Sequence, residues 1–113
     1  MNKFILDGCI QKDVKIFDKT VTFNISSQTG IFKTIDNKLI KRYTYIKVVY
    51  PDEIGEYLES ILQPGIMIRI YGKLDSEQYT TQNNKHVYNK ILKADKIMKI
   101  RWDPEIQEYV EVL

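Results

Sequence analysis

The feature that most constrains this chain is how little of it follows helical spacing. Apolar and polar residues alternate with a period of two through most of its 113 residues, in stretches rich in Ile, Val, Tyr, Phe and Thr. Such side chains suit a pleated, half-buried surface, so the chain reads as strand after strand. Residues 2–10 form a first expected strand, broken at Gly8, where a barrel strand bends or bulges. Val21, Phe23 and Ile25 share one face of a second, with Thr22, Asn24 and Ser26 on the other. After a long hairpin connection, residues 42–50 place Ile46, Val48 and Tyr50 on one face and Tyr43, Tyr45 and Lys47 on the opposite one.

One segment breaks the pattern. Ile54, Tyr57, Leu58, Ile61 and Leu62 follow the i, i+3, i+4, i+7, i+8 spacing of an amphipathic helix, expected over residues 53–62 with Asp52 as its N-cap and Pro64-Gly65 as its stop. Alternation then returns: Ile66, Ile68, Ile70 and Gly72 face one way, and Met67, Arg69, Tyr71 and Lys73 the other. Residues 75–86 are polar and Asn-rich, a protruding hairpin containing Tyr79, and residues 87–101 supply a last long strand. Three strands, one helix and two strands, in that order, describe the five-stranded Greek-key barrel of the OB fold. The expected class is therefore all-β, with an OB-fold domain over residues 1–101 and a small hairpin extension over 102–113, where Trp102 packs against the barrel.

Composition narrows the function. A chain of this length supports one cored domain. No apolar run approaches the roughly 20 residues of a membrane span, and the single cysteine, Cys9, allows no intrachain disulfide; a soluble protein of the cytoplasm is expected, with Cys9 as a small core residue. Residues 1–101 hold all 17 bases and 11 of the 15 acids, a net charge of +6, and a body of this sign attracts polyanions. Catalytic chemistry has no constellation to rest on. His86 stands alone beside Lys85, no Gly-rich phosphate loop is present, and Asp52, Glu53, Glu56 and Glu59 lie on or beside the polar helix face. Neither an enzyme nor a cofactor or metal site is expected.

Five motifs in order resemble the bacterial single-stranded-DNA-binding proteins. They are Met1-Asn2-Lys3-Phe4-Ile5-Leu6-Asp7-Gly8 with Asp13, Tyr45-Ile46-Lys47-Val48-Val49, Leu62-Gln63-Pro64-Gly65 running on to Tyr71-Gly72-Lys73-Leu74, the aromatic Tyr79, and Ala94-Asp95-Lys96-Ile97. The resemblance covers residues 1 to about 100. It implies sequence-nonspecific binding of single-stranded DNA, or of RNA, in replication, recombination or plasmid and phage transfer, by a homodimer or homotetramer that meets replication proteins. Those proteins usually carry Trp where Tyr45 and Tyr79 stand, so weaker stacking is expected. Their linker and acidic tip find only a faint counterpart in Glu108-Tyr109-Val110-Glu111-Val112-Leu113.

A nonspecific single-strand binder needs π surfaces for bases and cations for the backbone. If the apolar sets line the barrel, Tyr43, Tyr45 and Lys47 point outward, as do Arg69, Tyr71 and Lys73, and the two sets would interleave on one exterior sheet. Tyr79 and Lys85 border it on one hairpin, and Phe32, Lys33, Lys41 and Arg42 on the other. Tyr50, Tyr57 and Tyr88 are expected to pack rather than bind. The rival reading is an OB-fold module that binds another protein through its exposed tyrosines.

Overall fold

The computed structural model describes the backbone of residues 1–113 and every side chain except that of Phe32. Its strands are β1 (Phe4–Ile10), β2 (Lys15–Phe17), β3 (Thr20–Lys33), β4 (Leu39–Tyr50), β5 (Met67–Thr80), β6 (His86–Asp103) and β7 (Glu108–Val112), with one helix, α1 (Glu56–Ile61), between β4 and β5. The five long strands pair in the order β1, β5, β6, β4, β3, and contact between β1 and β3 at Cys9↔Ser26 and Ile10↔Ile25 returns the sheet to its start. This is the closed Greek-key barrel of the OB fold, with β2 as a short wing on β3 and β7 added to the end of β6.

Alternation places the core where the sequence puts it. Val21, Phe23, Ile25, Val48, Ile68 and Ile70 are buried to 1% exposure or less, joined by Ile10 and Leu92, and Ile46 and Tyr50 pack against them partly buried. Each such aliphatic or aromatic side chain contributes about 1.5–3 kcal/mol relative to exposure, which makes the inward parity of these strands hard to reverse. Ile61 and Leu62 of the helical segment join this core, with Leu58 against it.

The helix begins later than the sequence suggests. Gly55, not Asp52, is the N-cap, without a side-chain bond, and residues 52–54 remain outside the helix. Gly65 at φ 90° then turns the chain into β5, as the Pro-Gly stop implies. Cys9 is likewise displaced from expectation: it stands opposite Ser26 and Met67 on the barrel exterior, half-buried, while Gly8 and Ile10 take the inward positions.

Two glycines allow the barrel to close. A Cβ at Gly8 would lie 2.9 Å from the Ser26 carbonyl oxygen, at the point where β1 leaves β5 alone and meets β3. At Gly72 it would lie 2.1 Å from the Lys93 carbonyl oxygen, beside the bulge that leaves Asp95 of β6 unpaired with β5. Both are close backbone approaches that only glycine permits.

Two hairpins project from the barrel, and the radius of gyration of 16.2 Å exceeds the roughly 13 Å of a compact chain of this length. Their tips are built alike from Thr-x-x-Asn-Lys. In each, the Thr N–H donates to the Lys carbonyl at 2.9 Å, the Asn N–H donates to the Thr carbonyl at 3.0 Å, and the Lys N–H donates to the Thr hydroxyl at 3.2 Å. Asn37 (φ 64°) and Asn84 (φ 58°) supply the left-handed residue that each turn requires. The tips are residues 34–38 on the β3–β4 arm and 81–85 on the β5–β6 arm.

Candidate nucleic-acid interface

Residues directly opposed across antiparallel strands stand on the same face. With Phe23, Val48 and Leu92 inside, the pairs Asn24↔Lys47, Ser26↔Tyr45 and Gln28↔Tyr43 lie outside, and the parallel register Lys47↔Ile91 and Val49↔Lys93 carries that exterior onto β6. From there Lys73↔Lys93, Asp75↔Ile91, Glu77↔Asn89 and Tyr79↔Val87 extend it to the outer half of β5. The result is one continuous surface over β3, β4, β6 and the distal half of β5. Tyr45 is 69% and Tyr79 51% exposed, as free π faces for stacking require, and Tyr43 is exposed beside them. Lys73 and Lys93 are exposed as well.

Lys47 is differently placed. Its ammonium donates to both oxygens of Glu77, at 2.9 and 3.0 Å, with both side chains about one-third exposed. An acid of the chain itself therefore occupies the central cation of this face.

Arg69 and Tyr71 share the outward parity of Lys73 but not its surroundings. A 14-residue strand coils far around a barrel, and β5 pairs with β1 through residues 67–72 before its distal half runs alone with β6. The inner half reaches β4 the other way round the barrel, across β1 and β3, where Arg69 and Tyr71 line one cavity with Tyr43, so the two mixed sets meet across the β1–β3 closure rather than as neighbours through β6. Instead Arg69 holds Asp7 through two bonds, Nε to Oδ1 at 2.7 Å and Nη2 to Oδ2 at 2.9 Å, and reaches the Tyr109 carbonyl at 3.3 Å. The bond to Asp7 raises the Arg69 guanidinium above its ordinary pKa. Tyr71 donates its hydroxyl to Glu111 of β7, which pushes the phenol up, and the Lys96 ammonium sits 5.2 Å from its ring centre.

These contacts form one wall of a cavity of about 890 Å³ between Tyr43 and the β6–β7 hairpin. The hairpin is closed by an edge-to-face contact of Trp102 with Tyr109, centroids 5.1 Å apart, and pinned by Tyr57, whose hydroxyl accepts from the Lys99 N–H and donates to the Val112 carbonyl, both at 2.9 Å. Tyr57 thus packs through hydrogen bonds, whereas Tyr88, expected to pack, is 65% exposed on the β5–β6 arm.

The remaining expected residues lie on the arms. Lys33, Lys41 and Arg42 are exposed on the β3–β4 arm, and Lys85 closes the other tip. Phe32 pairs with Ile40 in β3, but its side chain falls outside the described ones. The structure adds residues that parity reading did not assign: Lys93, and Lys15 with Phe17 on β2, a wing too short to carry a periodic signal. Among the described residues no cluster of His, Cys, Asp and Glu could hold a metal ion, and no helix is long and apolar enough to cross a membrane.

An OB barrel that exposes Tyr43 and Tyr45 on β4, Tyr79 on β5 and Lys73 and Lys93 beside them has the architecture on which many oligonucleotide-binding proteins are built. Residues 1–100 match the single-strand binding protein family, and the chain belongs to it. Among solved structures, it is similar to the single-stranded-DNA-binding protein of Plasmodium falciparum in its complex with single-stranded DNA: TM-score 0.73, 20% identity, 89% of this chain and 96% of that one covered. It is also similar to a small single-stranded-DNA-binding protein from Streptomyces coelicolor, with TM-score 0.63, 11% identity, and 86% and 92% coverage. No curated protein sequence matches it.

Proposed function

We propose that this protein binds single-stranded DNA without sequence preference. The observation that carries the reading is the outward pairing of Tyr45 and Lys47 on β4, with Ile46 and Val48 turned inward and Tyr79 on the same surface. Bases stack on Tyr45 and Tyr79, and phosphates meet Lys47, Lys73 and Lys93, with Lys33, Lys41, Arg42 and Lys85 on the flanking arms. The role is one of binding, with no reaction attached.

The protein acts as a homodimer or homotetramer. Residues 4–6 of β1 pair with β5 alone, so their other edge is open to a strand of a second copy. A monomeric mass at micromolar concentration, with and without DNA, would count against this.

The test is a titration of fluorescent oligo-dT, oligo-rU and duplex DNA at two salt concentrations. Tight, salt-sensitive binding of oligo-dT over duplex is expected, because phosphate contacts release counterions. One observation favours a second reading, a module that binds another protein: Ile31, Ile35, Leu39 and Ile40 are all exposed on the β3–β4 arm. Indifference to oligo-dT at low salt would make that reading the better one.

A further inference from the structure

We propose that the wing strand β2 carries an additional nucleic-acid contact, in which Phe17 stacks a base and Lys15 meets the adjoining phosphate, prolonging the path beyond the barrel. The inference rests on the single-strand-binding reading above and deepens it.

The argument begins with burial. All three residues of β2 are exposed, Phe17 at 85%, so the phenyl ring finds no covering partner among the described residues. An apolar ring left in water forgoes the free energy its burial would release, and a ligand with a π face can recover it. Register then fixes where the ring looks. Lys15↔Thr22 and Phe17↔Thr20 put both side chains on the exterior of β3, the face that continues through Thr22↔Val49 and Asn24↔Lys47.

A groove of about 300 Å³ joins the wing to that face. It is lined by Asp13, Lys15, Thr22, Phe23, Asn24 and Lys47, so one strip has a lysine at each side, two strands or roughly 10 Å apart. The wing is also held in shape. Asp13 and Asp18 take left-handed φ values of 67° and 57° at its two ends, and the two-residue turn at Asp18-Lys19 sets Phe17 against Thr20. Lys19, engaged with Glu53 at 3.2 Å, points its charge toward the helix side instead. An aromatic ring and a cation at adjacent outward positions, opening on a groove toward Lys47, are the parts a flexible polyanion with planar bases requires. A second copy of the chain seated on the wing is the alternative that the experiment separates.

The experiment compares the full chain with Phe17→Ala and Lys15→Ala on oligo-dT of increasing length at several salt concentrations. On long oligomers Phe17→Ala is expected to bind about 5- to 160-fold more weakly with an unchanged salt slope, the loss expected of one stacked base. Oligomers too short to leave the Tyr45 and Tyr79 region should bind as they do to the parent. Lys15→Ala should flatten the slope by about 0.7 on long oligomers. Because Phe17 is so exposed, both variants should keep the parent's urea midpoint. Equal binding of Phe17→Ala at every length overturns the proposal while leaving the general reading intact. A variant that dissociates into monomers yet binds DNA normally shows the wing to be a subunit contact and also overturns it. A parent that ignores oligo-dT removes the general reading and this one together.

Discussion

Replacing Glu77 by Gln should make the protein bind single-stranded DNA more tightly, an outcome opposite to that of most substitutions in a binding face. In the free protein the Glu77 carboxylate chelates the Lys47 ammonium at 2.9 and 3.0 Å. A phosphate that reaches Lys47 must share it with this carboxylate, which leaves two anions about 5 Å apart across one cation. Their repulsion in water is about 0.8 kcal/mol by Coulomb's law, a factor of about four in affinity at low salt. With a Debye length of about 8 Å near physiological ionic strength, the same repulsion falls to about half, a factor of about two. Gln keeps the shape and removes the charge, and the ion pair it breaks is partly solvated, so folding should change by about 1 kcal/mol at most. The assay is an oligo-dT titration of parent and Glu77→Gln at low and physiological salt, with a urea midpoint for each. Binding by the variant that is equal to or weaker than the parent's at low salt refutes the reasoning, because Glu77 would then assist Lys47 rather than compete for it.

Tyr45→Ala and Tyr79→Ala, at exposed positions, should each weaken oligo-dT binding by about 1–3 kcal/mol and leave the salt slope intact. Arg69→Ala should leave that slope close to the parent's, since its guanidinium is held by the Tyr109 carbonyl as well as by both oxygens of Asp7, and should show itself instead as lower stability; a slope reduced as much as in Lys47→Ala would place Arg69 on the DNA path. Gly72→Ala forces a Cβ toward the Lys93 carbonyl in a closed barrel, and should lower stability by about 1–3 kcal/mol or more in urea unfolding. The raised Tyr71 phenol, caused first by its bond to Glu111, implies a contribution that is complete below the ordinary tyrosine pKa of about 10 and lost as pH rises beyond it. Trp102 fluorescence in the attached hairpin should therefore change more at alkaline pH in the parent than in Tyr71→Phe.

Much of the fold could be read from residue order, because parity is a local property. Once Val21, Phe23, Ile25, Ile46, Val48, Ile68 and Ile70 alternate with polar residues, burying them together allows one register, and Tyr45 and Lys47 then have to face outward. The helical stripe was equally plain in its apolar spacing, although its start was not, since Gly55 rather than a side-chain cap opens it. What alternation could not reveal is which outward residues meet. Arg69, Tyr71 and Lys73 look equivalent along the chain, but coiling around the barrel turns the first two toward β1 and β7 and the third toward β6. Pairings between residues 30 to 62 positions apart, Lys47 with Glu77 and Arg69 with Asp7, exist only because closure brings those strands around one core. The sequence by itself determined an OB barrel and the side of each strand that faces solvent, through the two-residue repeat of the extended chain. Only the tertiary structure decided which cations stay available to a ligand, because that depends on the acids that strand order and closure bring beside them.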